Sequence, residues 1–216
     1  LGFGLLTIDG TLKIFSRSNK KTLKNGNRKY VNYYYEKLVS YISHFKNKKI
    51  SVNPFHCPSI IYETMKENNI VIEDKFLFLQ SMATIKNSVE IAFIKNCHKR
   101  DGAALIKFLF WLEHNIFQQK ISEYDALIKL KEFRLKDTNF ISESFHTIAA
   151  SGSNGAIVHY RPTNIKPKLI NTKEIFLLDS GGQYFDGTTD ITRTISFSEQ
   201  PQEIKNFYTF VLKSHI

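Results

Sequence analysis

The chain has 216 residues, of which 42% are hydrophobic, and its 18 Phe and 10 Tyr supply enough apolar surface for a packed core, which excludes an intrinsically disordered protein. The formal net charge is +10, but residues 1–50 carry 11 Lys and Arg against 2 Asp and Glu, and the remainder is almost neutral. No apolar run approaches the roughly 20 residues that a membrane-spanning helix needs, so a membrane protein is not expected.

The basic excess lies in an Asn- and Lys-rich segment near residues 16–29. This segment lacks the interleaved aromatic residues of a nucleic-acid groove, so we interpret it as a solvated loop and do not expect nucleic acid as a partner. Cys57 and Cys97 have neither metal-ligand spacing nor the number that a disulfide framework requires, which favours a reducing, cytoplasmic location. The chain starts at Leu1 without an initiator Met, and we expect it to be part of a longer protein.

The first 86 residues predict a small α/β unit. Asp9-Gly10 between two apolar runs indicates a β-hairpin. Apolar residues at steps of three and four predict a helix over Tyr30 to Phe45. A strand near Ile50 to Val52, a helix from Ser59 to about Glu67 and strand-like IVI and FLFLQ segments follow. We place a domain boundary near residue 86.

Residues 87–216 begin with long helices and continue mainly as strands. One helix is predicted from Ser88 to about Ile116, with Ser88 and Glu90 in its cap region, and a second from Ser122 to about Leu135. The remaining predicted elements are strands at ESFHTIAA and AIVHY around an Asn154-Gly155 turn, strands at EIFLLDS and TTDITRTISF, and a helix from Glu203 to His215.

Three aspartates, Asp179, Asp186 and Asp190, lie in the stretch LDSGGQYFDGTTDITRT, although aspartate is depleted in strands. Asp186 precedes a glycine and is predicted to be a turn residue. A two-residue turn formed by Asp186 and that glycine would pair Asp179 with Thr194. Asp179 and Asp190 would then share one face, four residues or roughly 13 Å apart. A bulge or a different pairing, for which Gly181-Gly182 is suited, would be needed to bring the carboxylates together.

Two carboxylates that converge repel each other, so a divalent metal ion would be their natural partner. The spacing alone leaves a second interpretation open, in which Asp179 is an ordinary loop carboxylate at the end of an apolar strand. His159, taken alone on the predicted AIVHY strand, is typical of a half-buried histidine with a hydrogen-bond partner.

The segment DSGGQYFDGTTDITRT resembles the metal-binding segment of aminopeptidase P, the Xaa-Pro aminopeptidase, in its multidomain eukaryotic type. That family has the pita-bread fold of prolidase and methionine aminopeptidase, and the eleven-residue interval from Asp179 to Asp190 is common to all of them. KNSVEIAFIKNCHKRDGAALIKFLFWLE and SGSNGAIVHYRP resemble two further segments of the catalytic domain. The implied fold class is α/β (α+β), with part of a creatinase-type, non-catalytic amino-terminal α/β domain over residues 1–86 and the first half of a pita-bread catalytic domain over residues 87–216.

The resemblance implies that Asp179 and Asp190 are two of the five protein ligands of a site for two divalent metal ions, usually Mn²⁺. It also implies that His159 contacts the substrate or handles protons beside the metals. The implied reaction releases the amino-terminal residue from peptides with proline in second position, by attack of a metal-bridging hydroxide. The other ligands of the family, a histidine and two glutamates, would lie beyond Ile216, so we expect this chain alone to be inactive. Family members also make a homodimer possible.

Three alternatives stay open. A prolidase-type dipeptidase and a methionine aminopeptidase share the interval between the aspartates, although the TTDITRT sequence and the preceding domain disfavour both. The third alternative is a catalytically inactive pita-bread module that binds histones or nucleic acid. Such modules typically lose the metal aspartates, and both are present here.

Overall fold

The computed structural model describes residues 2–17, 30–73 and 81–216. The chain divides into two compact units, Leu1–Ile85 and Lys86–Ile216, and each is described by itself. Both units combine helices with β-sheet, so the predicted α/β class is confirmed. Within the three described ranges, no helix is both long enough and apolar enough to cross a membrane.

Before residue 81, the described part of the first unit contains two small sheets and two helices. Strands β1 to β3 form one sheet in sequence order, and β4 pairs with β5 in parallel. The elements are β1 (Gly2–Leu6), β2 (Leu12–Ser16), β3 (Tyr30–Tyr34), α1 (Lys37–Ser43), β4 (Lys49–Ser51), α2 (Ser59–Glu67) and β5 (Val71–Glu73).

The hairpin predicted at Asp9-Gly10 is confirmed, because β1 and β2 pair antiparallel on either side of it. Gly10 has a φ of 79°, a left-handed conformation that glycine adopts without steric cost. The predicted helix over Tyr30 to Phe45 is wrong in its first part, since Tyr30–Tyr34 is β3 and runs parallel to β2. Aromatic residues favour strands, and the Tyr33 ring stacks on Phe15 at 5.1 Å between centroids.

The other predictions for this unit have mixed outcomes. Helix α2 begins and ends at the predicted residues, and a strand lies near Ile50. The FLFLQ segment and nearly all of the basic segment, residues 18–29, lie outside the described residues. The apolar core of the unit consists of Phe15, Leu38, Ile42, Ile61, Met65 and Ile70.

The second unit contains three α-helices: α3 (Ser88–Asn115), α4 (Glu123–Arg134) and α5 (Gln202–His215). Helix α3 starts one residue later than its cap, which is Asn87; its side chain accepts hydrogen bonds from the backbone of Val89 and Glu90, and Glu90 bonds back. Ser122 caps α4 in the same reciprocal manner with Asp125. The two helices pack into one core with the central strands, through Leu105, Phe108, Leu112, Ala126, Leu130, Ala149, Phe176 and Leu178.

The strands of the second unit form two three-stranded antiparallel sheets, ordered β10-β9-β6 and β11-β8-β7. The chain leaves β8 and enters β9 at Gly181, where it passes from one sheet to the other. The strands are β6 (Phe140–Glu143), β7 (Ile148–Ser151), β8 (Ile175–Ser180), β9 (Gly182–Tyr184), β10 (Gly187–Thr188) and β11 (Ile191–Ser196).

The AIVHY strand predicted from the sequence is absent from the described second unit. Residues Gly152–Ala156 form a 3₁₀-helix instead, followed by a bend at residue 157 and a turn at residues 158–159. Two residues in this segment have left-handed backbone, Gly152 with a φ of 59° and His159 with a φ of 57°. A strand cannot accommodate such angles, so a run of β-branched residues was overridden by the tight turn before it.

Candidate metal centre

Of the two aspartates predicted as metal ligands, Asp179 lies in β8 and Asp190 immediately precedes β11. Alternation of extended backbone would place both side chains on the same face, in a register different from the predicted one. Asp179 pairs with Thr192 and not with Thr194. The cause is the turn, which consists of Phe185 and Asp186, one residue earlier than predicted. The role of Asp186 as a turn residue is thereby confirmed.

The corrected register brings the two carboxylates closer. Asp190 is two residues from Thr192, the partner of Asp179, so the offset is two residues where four were predicted. The Cα atoms of diagonal neighbours of this kind on one face are about 7–8 Å apart, and their Cβ atoms are somewhat closer. The spacing suits two carboxylates that share bound cations.

Gly181 and Gly182 make the corner between the two sheets possible. A Cβ atom on Gly181 would lie 2.0 Å from the Thr189 carbonyl oxygen and 2.2 Å from Ser144 Oγ, and a Cβ on Gly182 would lie 2.5 Å from the Tyr184 ring. Only glycine avoids these collisions. The register of the hairpin is the same before and after this glycine pair, so the changed pairing of Asp179 comes from the turn and not from a bulge at these glycines.

The environment of the two carboxylates fits part of a metal site. Asp179 is half-buried and its Oδ1 accepts a hydrogen bond of 2.8 Å from Thr192 Oγ1, whereas Asp190 is exposed. Carboxylate oxygens suit hard divalent cations such as Mn²⁺ and Mg²⁺. Among the described residues, no group of three or more His, Cys, Asp and Glu side chains could hold a metal ion, so this pair would need further ligands.

His159 is exposed, and the described residues do not unite it with Asp179 and Asp190 in one ligand group. Its segment nevertheless packs beside β8, because Gly155 faces Leu177, two residues before Asp179. The imidazole is therefore carried on a turn next to the strand that bears a predicted ligand.

A cluster that we call the Glu123 cluster fixes this turn: Glu123, Ser151, Asn154 and Tyr160. Glu123 is 1% exposed and accepts hydrogen bonds from Ser151 N (2.6 Å), Asn154 Nδ2 (3.0 Å) and Tyr160 OH (2.6 Å). Burial, and then the hydrogen bond to Glu123, raise the pKa of Tyr160 to about 12. The neighbours of His159 are thus tied to the first residue of α4.

A second cluster, the Asp101 cluster, lies beneath the two aspartates: Asp101, Arg134, Ser180, Tyr184 and Thr189. Arg134 binds Asp101 through Nε at 2.7 Å and Nη2 at 3.2 Å. Although burial opposes ionisation of Asp101, the hydrogen bonds and charge of Arg134, with help from Tyr184, lower its pKa. Burial, followed by the bond to Asp101, raises the pKa of Tyr184.

Neither cluster was predicted from the sequence, although the sequence contains a signal for the second. Asp101 lies four residues before Leu105 and Arg134 four residues after Leu130, so each charged residue occupies the buried face of its helix. A charge at a core position is rare unless it is paired, and two of them predict a buried ion pair. Glu123 gave no comparable signal, because an acidic residue in a first helical turn is common on surfaces.

Comparison with known proteins identifies the family of this chain. The model of metallopeptidase family M24 matches residues 92–216, and the chain belongs to that family. The chain is similar to probable Xaa-Pro aminopeptidases P of Arthroderma otae, at 48% identity over 134 residues, and of Sclerotinia sclerotiorum, at 46% over 136 residues. These matches cover 61% and 62% of this chain but 22% of each fungal protein.

Solved structures show the same fold. An X-prolyl aminopeptidase from Caenorhabditis elegans, described as a cytosolic enzyme with a di-nuclear active site, superposes with a TM-score of 0.76 at 27% identity, over 89% of this chain and 33% of that one. The prolidase from Pyrococcus horikoshii has a TM-score of 0.79 at 22% identity, over 98% of this chain and 59% of its own. The expected likeness to the Xaa-Pro aminopeptidase and prolidase group is confirmed.

Proposed function

We propose that this chain is part of a metal-dependent Xaa-Pro aminopeptidase, which releases the amino-terminal residue from peptides with proline in second position. The observation that carries the proposal is the diagonal placement of Asp179 and Asp190 on one open face of the β8–β11 pair. Membership of the M24 family and the names of the fungal relatives support it. The relative from C. elegans, a cytosolic enzyme, supports a cytoplasmic location.

In this proposal Asp179 and Asp190 hold divalent ions, with Mn²⁺ as the proposed metal. When bound, such ions acidify water toward neutrality and polarise the scissile carbonyl group. Thr192 orients Asp179 through the bond to Oδ1, which leaves Oδ2 for a cation. His159 would contact the peptide or transfer a proton, since it lies exposed on the turn beside β8.

We also propose that residues 1–216 alone are inactive. Two carboxylates provide too few ligands for a pair of metal ions, and the described residues bring no third donor to them. The remaining donors would come from other parts of the protein. Metal-dependent peptidase turnover by the purified chain of 216 residues would refute this part of the proposal.

The assignment can be tested with full-length protein that contains this chain. Asp190→Asn is expected to lower kcat/KM for a tripeptide with proline in second position by at least about 100-fold, because an amide is a poor ligand for a hard cation. Asp186→Asn is the matched control, since Asp186 lies on the neighbouring turn and binds Arg100, and it should change the rate less than about threefold. Wild-type activity of Asp190→Asn would contradict the assignment.

The same substrates separate the alternatives. Turnover restricted to dipeptides would indicate a prolidase, and turnover restricted to initiating methionine would indicate a methionine aminopeptidase. A salt-sensitive affinity for nucleic acid without metal-dependent turnover would favour the inactive binding module.

A further inference from the structure

We infer that the buried Asp101–Arg134 ion pair is the positioning device of the candidate metal centre, setting the spacing of Asp179 and Asp190 from the opposite side of the strands. The inference rests on the proposed function. Asp101 and Arg134 touch neither carboxylate, so they are positioning residues and not metal ligands. They act through Ser180 and Thr189, each of which is next in sequence to one of the two aspartates.

Alternation along the chain separates the two faces. Asp179 is half-buried and Asp190 is exposed, whereas Ser180 is 0% exposed and Thr189 is 2% exposed. Successive side chains of extended backbone point to opposite faces, so an aspartate that faces outward leaves its neighbour facing the helices. Each predicted ligand is therefore adjacent in sequence to a residue whose hydroxyl group is buried.

Both hydroxyls bind the same ion pair. Arg134 Nη2 donates to Ser180 Oγ at 3.1 Å, and Thr189 Oγ1 donates to Asp101 Oδ2 at 2.9 Å. Tyr184 lies in β9, between Ser180 and Thr189 in sequence, and its OH donates to Asp101 Oδ1 at 2.6 Å. The two segments that carry Asp179 and Asp190 are consequently tied to one salt bridge between α3 and α4.

The direction of these bonds is fixed by the backbone. The N–H of Gly182 donates to Thr189 Oγ1 at 2.9 Å, so the Thr189 hydroxyl already accepts one bond and directs its own hydrogen to Asp101. Ser144 ties the same two segments a second time, with its N–H on the Gly181 carbonyl at 3.1 Å and its Oγ on the Thr189 carbonyl at 2.9 Å.

The Asp101–Arg134 ion pair is rigid because it is buried and because both of its members are charged. Asp101 and Arg134 are each 1% exposed, and the pair is bidentate, a geometry that allows little rotation of either side chain. Within the described residues, every buried side-chain nitrogen or oxygen has a hydrogen-bond partner. The other acceptor within reach of the Thr189 hydroxyl, the Gly182 carbonyl oxygen, is farther away, at 3.5 Å against 2.9 Å for Asp101 Oδ2. Outer-shell partners of this kind typically change metal affinity by about 10–100-fold when they are removed.

The test measures binding of Mn²⁺ to metal-free full-length protein by titration calorimetry, well below the unfolding temperature. Thr189→Val keeps the shape of the side chain and removes the bonds to Asp101 and Gly182, and it is expected to weaken Mn²⁺ binding by about 10–100-fold. Ser180→Ala removes only the bond from Arg134 and is expected to lie near the lower end of that range.

Two variants serve as controls. Thr189→Ser retains the hydroxyl group and loses the methyl group, and it should bind Mn²⁺ within about twofold of wild type. That result would show that the hydrogen bonds of Thr189, and not the packing of its methyl group, support metal binding. Thr147→Val removes an equally buried threonine that donates to Glu143 outside the Asp101 cluster, and it should also bind within about twofold.

The outcomes separate this inference from the function on which it rests. Wild-type affinity in both Thr189→Val and Ser180→Ala would overturn the positioning role while leaving the metal site intact. An equal loss in Thr147→Val would also overturn it, because the effect would then be one of general stability. Absence of Mn²⁺ binding in the wild-type protein would overturn the proposed function and this inference together.

Discussion

The Asp101 cluster and the Glu123 cluster each bury a carboxylate to 1% exposure, but they neutralise it differently. Asp101 faces the guanidinium of Arg134, whereas no Lys or Arg in the described part of the chain forms an ion pair with Glu123. Glu123 relies on neutral donors and on its place in the first turn of α4, where backbone N–H groups favour negative charge. A carboxylate can therefore be buried by a counter-charge or by convergent dipoles, and the two solutions fail differently.

The largest difference is expected when the cation is removed. Arg134→Met leaves Asp101 buried without its counter-charge and should lower the free energy of unfolding by about 3–5 kcal/mol. Urea unfolding followed by Trp111 fluorescence measures it, because Trp111 is the only tryptophan in the chain and lies in α3. Lys131→Met is the control on the same helix, where a half-exposed lysine pairs with Glu143, and it should cost less than about 1 kcal/mol. Equal losses in the two variants would contradict the comparison.

The Glu123 cluster should respond less to loss of charge. Glu123→Gln keeps one carbonyl oxygen as an acceptor and is expected to cost about 1–3 kcal/mol, since no buried cation is left behind. The same fluorescence measurement applies. Glu113→Gln, on the exposed side of α3, should be nearly neutral. A cost for Glu123→Gln above that of Arg134→Met would reverse the ranking of the two clusters.

Removal of a single hydrogen-bond donor to Glu123 should lower the free energy of unfolding by less than Glu123→Gln does. Tyr160→Phe removes the bond from Tyr160 OH to Glu123 Oε2 and should cost about 1 kcal/mol, because Tyr160 is half-buried and water can replace part of the bond. We also expect altered kcat/KM in the full-length protein, since Tyr160 adjoins His159. Wild-type stability together with wild-type kinetics would show that this hydroxyl does not hold the turn.

A dependence on alkaline pH is also expected, with one tyrosine in each cluster. The pKa of Tyr160 is raised to about 12, and that of Tyr184 is raised as well, so both stay protonated in the folded protein when they would ionise in the unfolded chain. The stability from this difference is present below pH 10 and is lost as the pH rises toward 12. Ultraviolet titration should show that Tyr160→Phe lacks the transition near pH 12, and an unchanged transition would refute its assignment.

The sequence predicted the elements of this fold better than their register. Helix α2 and the hairpin at Asp9-Gly10 follow from local signals, and both are confirmed. The pairing of Asp179 was wrong because a turn at Phe185-Asp186 differs by one residue from a turn at Asp186-Gly187, and local preference for Asp-Gly did not decide between them. Arg100 bonds to Asp186 at 2.6 Å, a contact between distant residues that the local sequence does not reveal.

The candidate site shows the same limit. The interval between Asp179 and Asp190 singled out two residues, but their spacing depended on contacts 33 to 88 positions apart in sequence, such as Asp101 with Arg134 and with Thr189. The turn that carries His159 was predicted as a strand because its apolar residues favour strands. The hydrogen bond that fixes the turn, from Tyr160 OH to Glu123, is made with a residue of α4 that is distant in sequence.

The corner at Gly181 gives the site an unusual sensitivity to added volume. A methyl group there would need the space of the Thr189 carbonyl, 2.0 Å away, and could be admitted only if the segment before Asp190 moved away from the segment after Asp179. The distance between the two segments that carry Asp179 and Asp190 is thus limited by the lack of a side chain at Gly181. Substitution of Gly181 by alanine, which adds one carbon atom and no functional group, would therefore change the separation of the carboxylates of Asp179 and Asp190.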